Sequence, residues 1–418
     1  MRTMDVEAVG ALAGEALAAG GKLVKDMHEG IASRPFKALG PAATPVRVLH
    51  DGISRAVYRG VGSGLRGIAR GAAKVAARHA ELDGTALGTR PRGSIVLGAL
   101  NGFYGHLLTE QGNELALRME IRRAGAPVPA TLDRLRAAFP DATSRIVVFV
   151  HGLCETDEAW WLGTRRAGRI DRRSYGERLQ DELSFTPLYV RYNTGLRVSA
   201  NGRALARLLE DVVRSWPAGV EELVLVGHSM GGLVSRSACH YGEQDGLRFT
   251  TAIRHVFCLG SPHLGADLEK GVNVLSWALA RLPETRAMSN LLNTRSVGIK
   301  DMRFGSCSEE DWCDCHPDEF LRDRCGELPF LPDANYYFIA AAVSPKAVGT
   351  LVGDLLVRIP SSSGRGNGKG RRILFEVDNG HELTGLNHFE LLNHPAVYEQ
   401  LRRWLTRRPV RGALPAAV

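Results

Sequence analysis

Short runs of aliphatic residues alternate with helical patterns along the chain from Ser144 onward. The runs typical of strands are "RIVVFVHG", "PLYVRYN", "ELVLVGHS", "HVFCLGSPHLG", "YYFIAAAV" and "RRILFEV". One helical pattern covers 202–215, between the second and third runs, and another follows Ser229. Strands that alternate with helices predict a mostly parallel sheet with helices on both faces. We therefore expect an α/β fold.

The N-terminal third follows a helical pattern instead. Within 46–80 apolar residues recur every three to four positions, which places them on one face of a helix, and basic residues lie on another face. A second apolar stretch over 94–121 predicts one or two more helices, and the Pro-rich segment 123–132 predicts a connector. We predict a helical, Ala- and Gly-rich extension over 1–125 and an α/β domain over 144–406.

Two segments interrupt the alternation. Residues 266–333 lack a clear strand, and an insertion between two strands of a sheet predicts a cap or lid. Within it Cys307, Cys313, Cys315 and Cys325 lie close in sequence, with His316 among them. Their spacing matches no standard zinc module, so a zinc site, disulfides and free thiols all remain open. The Gly- and Arg-rich segment 361–372 predicts a mobile surface loop.

The basic charge lies at the front of the chain. Residues 1–140 hold 19 basic and 12 acidic side chains, a surplus of 7 out of the total net charge of +8. The basic helix within 46–80 predicts peripheral contact with an anionic membrane, packing against the α/β domain, or a solvated face. No nucleic-acid-binding module, signal peptide or run of ~18 apolar residues accompanies it, so we expect a cytoplasmic protein that is membrane-associated at most.

The segment "ELVLVGHSMGGLVSRSACHY" carries the pattern G-x-S-x-G between a strand and a helix. A serine on such a sharp turn has a strained backbone, and glycines beside it allow strand and helix to approach closely. We therefore predict that Ser229 is a nucleophile. A serine hydroxyl reacts at neutral pH only when a base takes its proton and an acid orients that base.

A possible oxyanion-binding loop lies upstream, in "RIVVFVHGLCETDEAWW". A loop after an early strand can direct a backbone N–H at the developing oxyanion, together with the N–H of the residue after the nucleophile. These donors are predicted to be the amides of Leu153 and Met230. The alternative interpretation of His151 and Gly152 is a simple turn at the end of a strand.

Several motifs together resemble those of α/β-hydrolase lipases and esterases, in particular the inositol-deacylase-like (PGAP-type) hydrolases. They are "VFVHGLCETDEAWW", "LVLVGHSMGGLVSR", "GSPHLGAD", "GDLLVRIPSSS" and "NHFELLNHPAVYEQLRRWL". The resemblance covers about 144–406 and excludes the N-terminal third and the Cys-rich insertion. It implies an α/β-hydrolase fold with a mostly parallel sheet, and the chain pattern adds the cap insertion and the helical N-terminal extension predicted above.

The resemblance also implies the partners of the nucleophile. The family histidine follows the last strand, at the position of His388, and His381 is a rival base. His394 is expected to cap or pack near Pro395. The family acid follows the strand "YYFIAAAV", and Asp354 is the carboxylate of that interval, although Leu355 replaces the usual glycine. Asp378 and Asp333 are the alternative acids.

These residues predict a serine hydrolase of carboxylic esters, with Ser229, His388 and Asp354 as the triad and no cofactor or metal. Lipid or other hydrophobic esters are the expected substrates. An acyltransferase, phospholipase, polyester depolymerase or amidase on the same triad, or a non-catalytic lipid-binding protein, are the alternatives. Four further side chains are expected either to line the site or to have a structural role in a turn or in the core. They are His263, Trp160, Trp161 and Tyr241.

Overall fold

The computed structural model describes residues 91–164, 171–281, 285–342, 357, 359–365 and 371–407, together with isolated positions ahead of residue 91. Most of the basic helical pattern within 46–80 lies outside these described residues, and so does Asp354. No helix of the described part of the chain is both long and apolar enough to cross a bilayer.

Eight strands form one sheet within the described residues. They are β1 (Glu120–Arg123), β2 (Ala126–Val128), β3 (Arg145–Val150), β4 (Thr186–Arg191), β5 (Glu222–His228), β6 (Ile253–Leu259), β7 (Asn335–Ala342) and β8 (Gly380–Thr384). Their order is β2-β1-β4-β3-β5-β6-β7-β8. All neighbouring pairs from β4 to β8 are parallel, whereas β1 is antiparallel to both β2 and β4. The predicted mostly parallel sheet is confirmed.

Helices cover both faces of this sheet. They are α1 (Pro91–Glu110), α2 (Leu132–Ala138), α3 (Tyr175–Leu183), α4 (Val198–Ser215), α5 (Met230–Gln244), α6 (Phe249–Ala252), α7 (Asp267–Leu279), α8 (Arg286–Asn293), α9 (Val297–Asp301), α10 (Ile359–Ser362) and α11 (Pro395–Leu405). Single 3₁₀ turns lie at Asp157–Trp161, Glu310–Trp312, Val377–Asn379 and His388–Leu392.

Alternate side chains of β3 divide the core between the two faces, because successive residues of a strand point to opposite sides. Val148 packs in one cluster with Leu205 of α4 and Leu233 of α5. Phe149 packs in the other cluster with residues of α3 and α11, among them Trp404. The helices named here therefore bury both sides of the central strand.

Helix α1 packs on the α/β domain through glycines. A Cβ atom added at Gly102 would lie 2.2 Å from the sulfur of Cys154, and one added at Gly105 would lie 1.8 Å from Oδ1 of Asn193. A buried ion pair between Arg191 and Asp157 lies at the same contact, and Arg191 also donates to Ser94 Oγ of α1 at 3.1 Å. Helix α1 is thus joined to the domain by close backbone approach and by a buried charge pair.

The helical prediction for 94–121 is wrong at its C-terminal end. Helix α1 stops at Glu110, and β1 follows. Leu115, Leu117, Met119 and Ile121 alternate with other residues, which is the period of a strand. The Pro-rich connector contributes β2, so the sheet starts ahead of the predicted boundary at residue 144.

The prediction of a last strand over 371–377 is also wrong. Residues 371–377 form no strand apart from an isolated bridge between Arg372 and Arg365, and Leu374 and Val377 are 77% and 84% exposed. The edge of β7 is taken instead by β8, with Phe338 paired to Gly380. Part of the predicted surface loop is buried as well, since Ser361 donates to the carbonyl oxygen of Gly265 at 2.7 Å.

The predicted cap segment contains α7, α8 and α9 and no strand among its described residues. Helix α7 has an inverted polarity: Glu269, Asn273 and Ser276 are buried, while Leu275 and Trp277 are 51% and 40% exposed. The buried polar side chains have partners, because Ser276 Oγ donates to Asn293 Oδ1 at 2.7 Å and Glu269 accepts from Arg295 and Arg303. The apolar side of α7 therefore faces outward.

The cysteines of the cap segment are free thiols in this structure, and burial raises the pKa of Cys307 to about 11. Ser306 lies 3.2 Å from the sulfur of Cys325. Among the described residues, no group of three His, Cys, Asp or Glu side chains is arranged to hold a metal ion.

Candidate active site

Ser229 lies at the turn between β5 and α5, which is called the elbow below. Its φ of 51° and ψ of −120° are strained for a residue with a side chain. The amide of Ser229 donates a 2.8 Å hydrogen bond to the carbonyl oxygen of Leu259, the last residue of β6. A Cβ atom at Gly231 would lie 2.1 Å from the carbonyl oxygen of Val150. The helix can follow the serine this closely only because Gly231 has no side chain.

The loop after β3 lies against this serine. A Cβ atom at Gly152 would be 3.0 Å from Cβ of Ser229. The amide of Gly152 donates to Glu155 at 2.6 Å, and the amide of Cys154 donates to Thr194 Oγ1 at 3.2 Å. Between them, the amide of Leu153 has no hydrogen-bond acceptor within the described part of the chain.

The second predicted donor is the amide of Met230, the first residue of α5. The first amides of a helix lack partners within that helix, and their dipoles favour negative charge. Met230 directly follows Ser229, and its side chain is fully buried. Both predicted oxyanion donors therefore lie in the two segments that meet at the serine.

His151 holds the start of the loop that follows β3. Burial lowers its pKa to about 4, so its ring is neutral. The hydroxyl of Tyr192 donates to the carbonyl oxygen of His151 at 2.7 Å, and the two rings stack with centroids 4.4 Å apart. His151 thus fixes the start of the loop, as a residue at the end of a strand.

His388 reaches the site from far along the chain. It begins a 3₁₀ turn after β8, and the side chain of Asn387 caps that turn. A Cβ atom at Gly260 would lie 3.0 Å from the ring of His388, and Gly260 directly follows the residue that accepts from Ser229. Burial, and then the neighbouring His228, lower the pKa of His388 to about 3. The fold thus brings a neutral imidazole to the elbow.

The rival histidines have other contacts. His381 lies in β8 with its ring edge-on to Trp404, and the side chain of His394 accepts from the amide of Ala396 at the start of α11. His394 therefore caps a helix, as expected. Of the alternative acids, Asp378 lies in the 3₁₀ turn ahead of β8, where its carbonyl oxygen accepts from Trp404.

Glu155 is a residue that the sequence analysis missed. Its carboxylate oxygens lie 3.0 and 3.1 Å from Nδ1 of His228, and it accepts from the amide of Gly152. Burial alone would raise the pKa of Glu155, but His228 and the Gly152 amide together hold it below its usual range. The signal available in the sequence was the acidic run "ETDE" directly after the predicted oxyanion-binding loop.

A cavity of about 910 Å³ opens beside Glu155 and Phe389. It extends along the 3₁₀ turn Asp157–Trp161 toward Arg122 and Arg123 of β1, and Trp161 and Leu162 supply apolar lining. The site residues themselves are not among its lining residues, but Glu155 and Phe389 are the direct neighbours of His228 and His388. The cavity therefore reaches the neighbours of His228 and His388 but not Ser229 itself.

The remaining candidates have structural contacts. His263 is buried with Nδ1 3.2 Å from Arg236, and burial lowers its pKa well below the ordinary value. Trp160 packs in the core against Phe149. Tyr241 accepts from the amide of Glu309 at 2.9 Å, which ties α5 to the cap segment.

Comparison with known proteins supports the same family. Residues 141–315 match the family model of the PGAP1-like alpha/beta domain, which spans β3 to β6, the elbow and much of the cap segment. The predicted resemblance to PGAP-type α/β-hydrolases is confirmed over this part of the chain. No curated protein matches the sequence closely enough to count as a relative.

Similar solved structures include lipases and esterases. The Bacillus licheniformis lipase BlEst2 in its mature form has 17% identity and a TM-score of 0.41, over 63% of this chain and 92% of that chain. A lipase-esterase related protein from Clostridium acetobutylicum has 13% identity and a TM-score of 0.34, over 63% and 95%. The lin2722 product of Listeria innocua has 14% identity and a TM-score of 0.37, over 64% and 96%.

Proposed function

We propose that this protein, whose residues 141–315 match a PGAP1-like alpha/beta domain, is a serine hydrolase that cleaves carboxylic esters. The observation that carries the proposal is the convergence at Ser229. The serine has a strained backbone, the amide of Leu153 is free beside it, and the buried neutral ring of His388 lies next to Gly260. These are the parts that acyl transfer requires.

In the proposed reaction the hydroxyl oxygen of Ser229 attacks the ester carbonyl while His388 takes the hydroxyl proton. The amides of Leu153 and Met230 bind the oxyanion of the tetrahedral intermediate. The intermediate collapses, the bond to the alcohol breaks, and His388 returns the proton to the leaving alcohol. Water then attacks the acyl-enzyme while His388 takes a proton from it. The bond to the serine oxygen breaks, the carboxylic acid leaves, and His388 returns the proton to Ser229. Asp354 is proposed to orient His388 and to stabilise its imidazolium, and no cofactor is needed.

The proposed substrates are lipid or other hydrophobic esters. One feature of the described residues supports this class: the cap segment turns the apolar side chains of Leu275 and Trp277 outward. An apolar surface of this kind suits an ester presented in a hydrophobic phase.

Hydrolysis of p-nitrophenyl esters of increasing acyl length tests the proposal. Ser229→Ala, His388→Ala and Asp354→Ala are expected to lower kcat by about 10⁴-fold or more while the proteins stay folded. His381→Ala is the matched control, because that histidine contacts Trp404 and lies outside the proposed triad. Activity retained by Ser229→Ala would reject the mechanism. A profile that rises with acyl length supports lipase-like specificity, and acyl transfer to an added alcohol in place of water identifies an acyltransferase.

We also propose that the basic segment within 46–80 contacts an anionic membrane surface, on the basis of its charge pattern. Sedimentation with vesicles that contain an anionic phospholipid, measured with and without residues 1–90, tests this contact. Equal binding by the two proteins rejects it.

A further inference from the structure

Two buried side chains outside the proposed triad connect its parts. The ring of His228 is 0% exposed and contacts acceptors on both sides. Nδ1 lies 3.0 Å from a carboxylate oxygen of Glu155, and Nε2 lies 3.2 Å from the carbonyl oxygen of His388. The same carboxylate accepts the amide of Gly152 at 2.6 Å. One pair of side chains thus spans three segments that are remote in sequence.

The hydrogen-bonding capacity of these groups determines their protons. An ionised carboxylate and a backbone carbonyl are both acceptors, and a neutral imidazole has only one N–H. The two ring nitrogens of His228 each face an acceptor, so the two hydrogen bonds need two protons. A carboxylate and a neutral imidazole together supply only one. Glu155 already accepts from Gly152, and its pKa is held below its usual range. With the extra proton on His228, each ring N–H has an acceptor and the carboxylate keeps its hydrogen bond from Gly152.

We propose that Glu155 and His228 form a buried ion pair that positions the catalytic base and keeps the imidazole of His388 neutral. The inference rests on the proposed function, in which His388 acts as the base. Glu155 and His228 are positioning residues, because they act through the backbone and ring of His388 and through the Gly152 amide.

The ion pair first fixes the relative positions of the three segments that it connects. Glu155 holds the loop that carries Leu153, His228 belongs to the strand that delivers Ser229, and the Nε2–H of His228 holds the backbone of His388. Movement of any one segment would break a buried, charge-assisted hydrogen bond, which is costly. Oxyanion donor, nucleophile and base are therefore kept in one relative arrangement before substrate arrives.

The ion pair also disfavours a positive charge on His388. The rings of His228 and His388 are 4.8 Å apart, so a positive charge on His228 opposes a second one on His388. After burial, His228 is the largest cause that lowers the pKa of His388, and the more distant Glu155 acts in the opposite direction. The other groups packed around the pair are His151, which faces Glu155, and the uncharged rings of Phe389 and Trp160. His388 therefore rests as the neutral imidazole that can accept a proton, and the orienting acid has to stabilise the imidazolium that forms during the reaction.

The protons of His228 can be observed without any activity measurement. NMR of the whole protein labelled at histidine is expected to show two ring N–H signals for His228 near pH 7, assigned by their loss in His228→Gln. In Glu155→Gln the amide oxygen can still accept from Gly152, and the amide nitrogen can donate to Nδ1. The ring should then be neutral with one N–H signal. A single N–H signal in the unchanged protein would overturn the ion pair.

Kinetics test the effect on the base. Glu155→Ala is expected to lower kcat by about 10- to 100-fold with little change in KM, because the three segments lose their common contact. Glu155→Gln should recover part of this loss, and its acid limb of kcat/KM should move to higher pH by at least about half a unit. Glu221→Gln is the matched control, an exposed glutamate just ahead of β5.

The outcomes separate this inference from the proposed function. An unmoved acid limb in Glu155→Gln, with ester hydrolysis intact, overturns the charge effect and leaves the proposed hydrolase standing. Absence of ester hydrolysis in the unchanged protein, with two N–H signals on His228, rejects the proposed function and leaves the ion pair standing.

Discussion

The amide of Ser229 donates a 2.8 Å hydrogen bond to the carbonyl oxygen of Leu259, so the elbow is held by the strand next to its own. This bond offsets part of the strain of a positive φ, which costs about 1–3 kcal/mol for a residue with a side chain. It also fixes the serine relative to Gly260, where an added Cβ atom would lie 3.0 Å from the ring of His388. Ser229 and His388, the proposed nucleophile and base, are thus both positioned by the C-terminal end of β6.

Close backbone approach at the elbow leads to a first prediction. Gly231→Ala places a Cβ atom 2.1 Å from the carbonyl oxygen of Val150, and backbone cannot give way as a flexible side chain can. We expect a loss of about 1–3 kcal/mol in the free energy of unfolding, with loss of activity. Urea denaturation measures it. Gly271→Ala is the control, since nothing lies within 4 Å in the middle of α7 and stability should rise by up to about 1 kcal/mol. Equal effects at both glycines would contradict the packing argument.

The buried ion pair between Arg191 and Asp157 leads to a second prediction. Arg191→Met leaves the carboxylate of Asp157 buried and without its cation, which should cost about 3–5 kcal/mol in the free energy of unfolding. The side chain of Arg191 also bonds Ser94, so α1 should become more accessible to protease. Arg173→Met is the comparison, because that ion pair is exposed and its loss should change stability little. Similar losses in the two variants would refute the prediction.

Buried histidines lead to a third prediction, on pH. Burial lowers the pKa of His151 to about 4 and that of His263 well below its ordinary value, so both are neutral in the folded protein. Unfolded histidine takes up a proton near pH 6.5. The stability is therefore full above pH ~6.5 and falls as the pH drops below it, by about 1.4 kcal/mol per unit for each histidine.

Urea denaturation between pH 8 and pH 5 measures this loss, because these values lie above and below the ordinary histidine pKa of about 6.5. His263→Gln should lower stability at pH 8 and flatten the decline toward pH 5, because glutamine does not titrate. The prediction fails if His263→Gln shows the same slope as the unchanged protein.

The outward apolar side of α7 leads to a fourth prediction. Leu275→Asp should weaken binding to anionic phospholipid vesicles by about tenfold or more, since burying a leucine side chain contributes about 1.5–3 kcal/mol. Hydrolysis of an emulsified long-chain ester should fall with it, while p-nitrophenyl acetate hydrolysis stays unchanged.

Val377→Asp is the matched control for α7, because Val377 is 84% exposed just ahead of β8. If that variant weakens vesicle binding as much as Leu275→Asp does, the contact is not specific to the cap segment. Binding that is equal in all three proteins shows that the outward side of α7 does not meet the lipid.

Residues near one another in sequence were predicted well. The strand β5, the serine turn and helix α5 follow from one continuous stretch, because strand period, glycines and helix period are all local. The regions predicted wrongly depend on distant partners. Residues 371–377 have the apolar residues of a strand, but β8 occupies the edge of β7. Strand β1 depends on pairing with β4, some 70 positions further along.

The sequence by itself determined the class of fold and the turn that strains Ser229, because these depend on local periodicity and on residue types within one motif. Tertiary structure alone decided that Glu155, His228 and the carbonyl oxygen of His388 form one buried contact. Hydrogen-bond partners drawn from three segments are set by how strands stack side by side, and no local pattern encodes that distance. The protons of His228 follow from those partners, so they too could be read only in the folded chain.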